Sequence, residues 1–177
     1  MPIQEQEFRD AFIEHRHAVY RYAWRLTSSP TAAEDITQEA FFALLRVRAK
    51  IDSPSGVRNF LFVTARNLVL KYWRNNQRWT ALDEDDEQLC RGPSSFDSSD
   101  VSRAVAAAIK ALPPLQREVL VMSVYSGFSA VEIAGITAVE VTAVKARLHR
   151  ARNNMKRMLQ ALKPAGNETE VGSGTSH

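Results

Sequence analysis

Residues 112–159 read LPPLQREVLVMSVYSGFSAVEIAGITAVEVTAVKARLHRARNNMKRML, a double-proline helix opening, a short helix around Glu132-Ile133-Ala134 and a long cationic helix. Proline is tolerated in the first turn, where a backbone N–H has no intrahelical partner. This order of elements is the one a helix-turn-helix requires, and its last helix fits a DNA major groove. At 100° per residue, Val141, Val144, Leu148, Ala151 and Met155 share one side of that helix and should be its buried stripe. Thr142, Lys145, His149, Asn153 and Lys156 face the other way, with Arg147, Arg150 and Arg152 at the flanks. Lys, Arg and Asn pair with guanine and adenine edges, so this face is a candidate DNA reader. The plainer reading is a cationic surface helix in an ordinary bundle.

The remaining sequence has no useful strand-like alternation, whereas 3.6-residue periodicity recurs almost throughout, so the expected fold class is all-α. Helices are expected at Phe8–Leu26, at 31–48 opening on a Thr31-Ala32-Ala33-Glu34 capping box, and at 57–78 after the breaker Ile51-Asp52-Ser53-Pro54-Ser55-Gly56. Further helices are expected at about 101–111, 114–126, 129–135 and 139–162. Between the two groups, 79–100 combines DEDDE at 83–87 with Gly92-Pro93-Ser94-Ser95, too little apolar periodicity to pack. The expectation is two small helical domains, 1–78 and 101–163, joined by a flexible acidic linker at 79–100 and followed by a disordered tail at 164–177.

A formal net charge of +3 conceals the distribution that selects a partner. Residues 1–78 carry 12 basic and 8 acidic side chains, 79–100 carry 1 and 7, 101–163 carry 10 and 3, and 164–177 carry 0 and 2. Two basic blocks therefore flank an acidic tether, and a polyanionic partner releases counterions when such blocks bind it. No apolar run reaches membrane-spanning length and the start lacks a secretory pattern, so membrane insertion is not expected and the chain is expected in the cytoplasm. One cysteine, Cys90, allows no internal disulfide and reads as a surface thiol. His15, His17, His149 and His177 lack metal-ligand spacing, so neither metal nor cofactor is expected. The carboxylates fall on helix faces or in the linker rather than in a cluster, which argues against an enzyme such as a nuclease.

Two stripes in the first half carry chemistry. On the second helix Ile36, Ala40, Ala43, Leu44 and Val47 form the core face, leaving Asp35, Gln38, Glu39, Phe42 and Arg46 as a separate line. Carboxylates and an amide around one large aromatic suit docking on a basic protein surface, with Phe42 as anchor. The alternative is a solvated face whose Phe42 is covered by a neighbouring helix. On the third helix Leu61, Ala65, Leu68 and Tyr72 are expected inside, and Phe60, Asn67, Lys71, Arg74 and Arg78 outside. Aromatic planes stack on exposed bases while cations neutralise the backbone, as single-strand binding demands. The preceding loop, with Asp52, Ser53, Ser55, Arg58 and Asn59, offers small polar groups able to read an extruded base.

These blocks together resemble an extracytoplasmic-function sigma factor, a compact initiation subunit of bacterial RNA polymerase. The likeness spans about 8–78 and 101–160: AEDITQEAF at 33–41 and ARNL at 65–68 in the first half, LPPLQREV at 112–119, GFSAVEIA at 127–134 and VKARLHRAR at 144–152 in the second. The resemblance implies that Asp35, Gln38, Glu39 and Phe42 hold core RNA polymerase at its clamp, the second half meeting the flap. It implies that 51–59 captures a base of the downstream promoter element while Arg66, Asn67, Lys71 and Arg74 handle the opened strand. Thr142, Lys145, Arg147, His149, Arg150 and Asn153 become candidates for the upstream element, so promoter DNA is a partner both double-stranded and locally melted. The acidic linker matches the family segment that threads toward the RNA exit path. Family members are commonly held by an anti-sigma protein covering both halves, which makes one a candidate partner. The alternative function is a helix-turn-helix regulator independent of polymerase; such a regulator has no need of the Asp35–Phe42 stripe.

The chain departs from the family at Phe60, usually Trp, at Phe62, usually Tyr, at Ala138, usually Gly, and at Glu140, usually Ser or Thr. The last two bear on the turn, because Gly eases it and Ser or Thr caps the recognition helix. Two registers follow: the family's, with the turn at Ala138, and one in which Gly135 ends the short helix early and Thr137-Ala138-Val139-Glu140 forms a capping box.

Overall fold

The computed structural model describes residues 5–76 and 101–161, all of whose regular structure is helical. The expected linker, Arg78, Cys90 and the tail at 164–177 lie outside the described residues. Helix α1 spans Glu5–Thr27, α2 Pro30–Val47, α3 Pro54–Asn75, α4 Val101–Ala111, α5 Pro114–Val124, α6 Ala130–Thr137 and α7 Val141–Ala161. No described helix is long and apolar enough to cross a membrane.

In the first half α1, α2 and α3 all touch one another. Buried Val19, Tyr22, Ala23 and Leu26 of α1 meet Ala33, Ile36, Ala40 and Leu44 of α2 and Leu61, Ala65, Val69 and Trp73 of α3. Each set recurs at three- and four-residue steps, the spacing that places side chains on one helix face. The indole N–H of Trp73 donates to the Leu26 carbonyl at 2.9 Å, so the end of α3 satisfies a terminal carbonyl of α1. Inside α3, Leu61 and Ala65 are buried as expected, but beyond them the buried line is one residue out of step: Val69 and Trp73 are buried, whereas Leu68 and Tyr72 are half-buried.

Two helix starts also differ from expectation. Ser29, not Thr31, caps α2: its hydroxyl accepts from the Ala32 amide at 3.2 Å, and Pro30 occupies the first turn. Ser53 caps α3 in the same manner, accepting from the Gly56 amide at 3.1 Å with Pro54 following. In both cases a Ser-Pro pair outcompetes later signals, because the proline's missing N–H costs nothing there while the serine oxygen fills an orphan donor. Arg58 and Asn59 consequently belong to the opening turns of α3, not to a loop.

In the second half α4, α5 and α6 each pack on α7. A capping box starts α6: the Ser129 hydroxyl accepts from the Glu132 amide at 3.2 Å and the Glu132 carboxylate accepts from the Ser129 amide at 2.7 Å. Those bonds hold the Glu132 carboxyl below its usual range. Helix α6 runs through Gly135 to Thr137, whose hydroxyl is spent on the Ile133 carbonyl at 2.7 Å, and Ala138 then turns in the left-handed region at φ 56°. Helix α7 begins at Val141, and the Val144 amide donates to the Glu140 carbonyl at 3.1 Å. The family register therefore holds, and the capping box at 137–140 does not form.

Buried side chains from both halves make one continuous cluster. Helices α4 and α5 touch α1, and α6 touches α3. Aromatic rings meet edge to face across the junction: Tyr22 packs on Phe62 within the first half at 5.4 Å between centroids, and Phe62 reaches Phe128 of the second half at 4.7 Å.

Alanine at Ala138 bears a Cβ where left-handed backbone disfavours one. Because the position is exposed, Ala138→Gly should stabilise the chain by about 0.5–1 kcal/mol after the greater unfolded-state freedom of glycine is subtracted. Thermal unfolding followed by circular dichroism should show a higher midpoint; a lower one contradicts strain at this turn.

Candidate polymerase and nucleic-acid interfaces

Helix α2 separates its two adjacent phenylalanines. Phe41 is buried, edge-on to Phe12 at 4.9 Å and Phe8 at 6.4 Å, while Phe42 is 60% exposed. Asp35, Gln38 and Glu39 are exposed and fall with Phe42 on one face by their spacing. Among the described residues no helix covers Phe42, so the covered-face alternative does not hold for them. An outward aromatic among acidic and amide groups, with Leu45 38% exposed beside it, has the composition of a protein-docking surface.

Between α2 and α3 a single 3-10 turn, Arg48–Lys50, leads into extended Ile51. Lys50, Asp52, Ser53, Asn59, Phe60 and Val63 line a hollow beside this connection. It offers one cation, one carboxylate, two small polar groups and a half-buried aromatic, a set able to bond a base edge and cover its face. A neighbouring hollow is lined by Glu7, Asp10, Glu14 and His15 of α1 with Asp52. Its carboxylates repel phosphate, and burial lowers the pKa of His15 despite the opposing charge of Glu14, so His15 adds no cation there.

Along α3 the expected residues separate into two groups. Asn67, Lys71 and Arg74 are exposed on one line, with Phe60 half-buried toward its start. Arg58 and Arg66 instead reach the second half of the chain. The Arg66 Nε donates to Glu118 at 2.6 Å and its Nη2 lies 3.4 Å from the other carboxylate oxygen. Arg58 donates to the Ser126 carbonyl, lies 3.7 Å over the Phe128 ring and sits 3.8 Å from Glu132.

Glu118 was not singled out by sequence, and it is the most deeply buried charge among the described residues at 0% exposure. Burial pushes its carboxyl up from the ordinary range, while Arg66 and then Arg147 pull it back. Tyr22 lies 3.5 Å away, and burial beside that carboxylate raises its phenol well above the usual value, keeping it neutral. The available signal was an acidic residue directly before the apolar run Val119-Leu120-Val121-Met122, at helical spacing from Val121 and Met122, so that burial of their face takes the carboxylate inside and calls for a cationic partner. Spacing alone does not identify a partner 52 residues away.

On α7, Thr142, Lys145, His149 and Asn153 are exposed at steps of three and four residues, with Arg150 half-buried beside them. Asn153 and His149 lie within hydrogen-bonding distance at 3.1 Å. Arg147 does not join this face. At 8% exposure it points into the core and acts on Glu118, which corrects its assignment to the groove-reading set. Asn154 is likewise internal, donating to Gln116 at 2.7 Å.

The family description Sigma-70 region 2 matches residues 11–79, and Sigma-70 region 4 matches residues 102–155. The ECF RNA polymerase sigma factor SigE of Mycolicibacterium smegmatis is 30% identical over 149 residues, which are 81% of this chain and 58% of that relative. The ECF RNA polymerase sigma factor SigL of Mycobacterium tuberculosis is 29% identical over 158 residues, 87% of this chain and 89% of that one. Among solved structures, the sigma factor RpoE in complex with the anti-sigma factor NepR from Bartonella quintana matches with a TM-score of 0.67 at 24% identity, covering 88% of this chain and 98% of that chain. With both sigma regions in order, an all-helical fold and exposed faces on α2 and α7, the chain belongs to the extracytoplasmic-function sigma factors.

Proposed function

We propose that this chain docks on the clamp of core RNA polymerase through Asp35, Gln38, Glu39 and Phe42 and directs initiation at promoters read by two separate surfaces. The observation that carries the reading is the outward stripe on α2, where a 60% exposed phenylalanine sits among polar and acidic side chains while its neighbour Phe41 is buried. A polymerase-independent regulator has no use for such a face. Polymerase association and promoter-specific initiation follow from family membership; the assignment of individual residues is ours.

In this reading Asp52, Ser53, Ser55 and Asn59, with Phe60, receive a base extruded from the downstream element. Lys71 and Arg74 neutralise the opened strand, Asn67 bonds along it, and Arg58 and Arg66 join them once detached from the second half. The exposed Thr142, Lys145, His149 and Asn153, with Arg150, enter the major groove at the upstream element, while the second half meets the polymerase flap. Phosphate contacts set position and the Lys and Arg contacts to base edges set sequence. The chain performs no catalysis of its own, since the polymerase carries out the chemistry. An anti-sigma protein is a fitting partner: the RpoE relative is described in complex with one.

Charge reversal by Asp35→Arg with Glu39→Arg should abolish co-purification with core polymerase while leaving the helical circular dichroism spectrum unchanged, both positions being exposed. Undiminished co-purification contradicts the docking assignment. At the upstream surface, Lys145→Ala and Arg150→Ala should each cost about 1–3 kcal/mol of promoter affinity, and at least one should alter base preference. Footprints that keep their strength and sequence would remove these residues from the reading face.

A further inference from the structure

Helix α1 gives one face to the core and turns a second, patterned face outward. Ile13, His17, Tyr20 and Trp24 follow one another at steps of four, three and four residues. That alternation is the seam of a helix that packs on another helix, because it keeps side chains on one line along the axis. By helical spacing the line lies opposite buried Val19, Tyr22 and Leu26. Ile13 is 61% exposed and Trp24 43%, His17 is exposed and Tyr20 is half-buried. Scattered apolar side chains at a surface are ordinary; the register of these sets them apart. The positions beside the seam carry mostly one sign of charge. Arg9, Arg16 and Arg21 flank it, all exposed, and among the described residues no carboxylate pairs with any of them. Arg16 lies 5.6 Å over the ring of Phe12, which is partly exposed and extends the apolar area. Two acids mark the N-terminal end: Asp10 accepts from Gln6 at 3.0 Å, and Glu14 lies 3.8 Å from His15.

We propose that this face of α1 receives an amphipathic helix of a partner protein, one whose apolar seam is flanked by Asp and Glu. The surface is separate from the docking stripe of α2 and from the nucleic-acid faces of α3 and α7. Ile13 and Trp24 supply the centre that loses water on docking, and Trp, Tyr and Arg are the side chains in which interface hot spots are richest. Arg9, Arg16 and Arg21 choose the sign of the partner, since charges beside a helical seam set which helix it accepts. Nucleic acid is the other anion such arginines hold, but Ile13 neither stacks on a base nor bonds to one. A second copy of the chain in parallel register would set Arg16 against Arg21 and Asp10 against its own equivalent, an arrangement that like charges oppose. His17, within the apolar line, is a polar seam residue of the kind that fixes register at a cost in affinity. From Ile13 to Trp24 the seam spans about 16 Å, so the contact is small and belongs to the transient class.

The full chain is titrated against a labelled synthetic helix of about three heptads, with Leu at the seam positions and Glu beside them, and binding is read by fluorescence anisotropy. A twin peptide carries Lys in place of every Glu. The Glu peptide should bind, and the Lys peptide should bind at least about tenfold more weakly. Trp24→Ala should weaken the Glu peptide by about tenfold or more. Ile13→Ser, at an exposed position, should weaken it in the same direction with the helical circular dichroism spectrum unchanged. Arg16→Glu with Arg21→Glu should reverse the preference, losing the Glu peptide and gaining the Lys peptide, an exchange that loss of structure cannot produce. Equal binding of the two peptides, or an affinity indifferent to Trp24→Ala and Ile13→Ser, would overturn the proposal. Three other outcomes overturn it by naming a different occupant. Displacement of the Glu peptide by oligodeoxythymidylate gives the face to nucleic acid. Displacement by core polymerase makes it part of the polymerase dock. A dimer of the free chain in sedimentation that Ile13→Ser dissociates gives it to a second copy.

Discussion

The carboxylate of Glu118, fully removed from water and answered by groups from both halves of the chain, fixes how those halves meet. An ion this deeply buried costs several kcal/mol in lost hydration, offset only when its partners are close and well aligned. Arg66 provides the 2.6 Å contact from α3, Arg147 provides a second positive charge from α7, and the Tyr22 phenol lies at 3.5 Å. Around this centre the aromatic sequence Tyr22, Phe62, Phe128 supplies apolar area without direction, whereas the ion pair tolerates little displacement. The cluster therefore does more to specify the arrangement than to drive it.

The same constraint explains which functional residues are exposed. Helix α2 lies away from the junction, so Asp35, Gln38, Glu39 and Phe42 face outward. Helix α7 gives Arg147 to the junction and keeps Thr142, Lys145, His149 and Asn153 outside. Helix α3 lies at the junction itself, and its cations are shared between a prospective nucleic acid and the second half of the chain. The surfaces proposed for docking, groove reading and strand handling thus lie on three different helices of one framework, and only the last adjoins the contact between halves.

Much of this was legible in the sequence where the cause is local. Helical periodicity located all seven described helices, and Phe42 stood outside the core stripe of α2 by wheel position alone. The turn at Ala138 was legible as one of two registers; the alternative failed because the Thr137 hydroxyl bonds back to Ile133 instead of capping forward. Helix starts were misplaced at α2 and α3, where Ser-Pro pairs were stronger signals than the capping box at Thr31 or the breaker at Gly56. What sequence could not disclose was nonlocal. Arg147 reads as a groove contact beside Lys145 and Arg150 until Glu118 is seen beneath it, and Arg66 reads as a strand contact until its partner 52 residues on is known.

The central claim, that the chain confers promoter-specific initiation on core polymerase, meets its most direct test in run-off transcription with purified core polymerase on a library of genomic fragments. The account predicts discrete start sites sharing an upstream and a downstream element, present with the chain and absent with core polymerase alone. Transcripts no different from those of core polymerase alone, with a chain that is folded and able to bind duplex DNA, would contradict it.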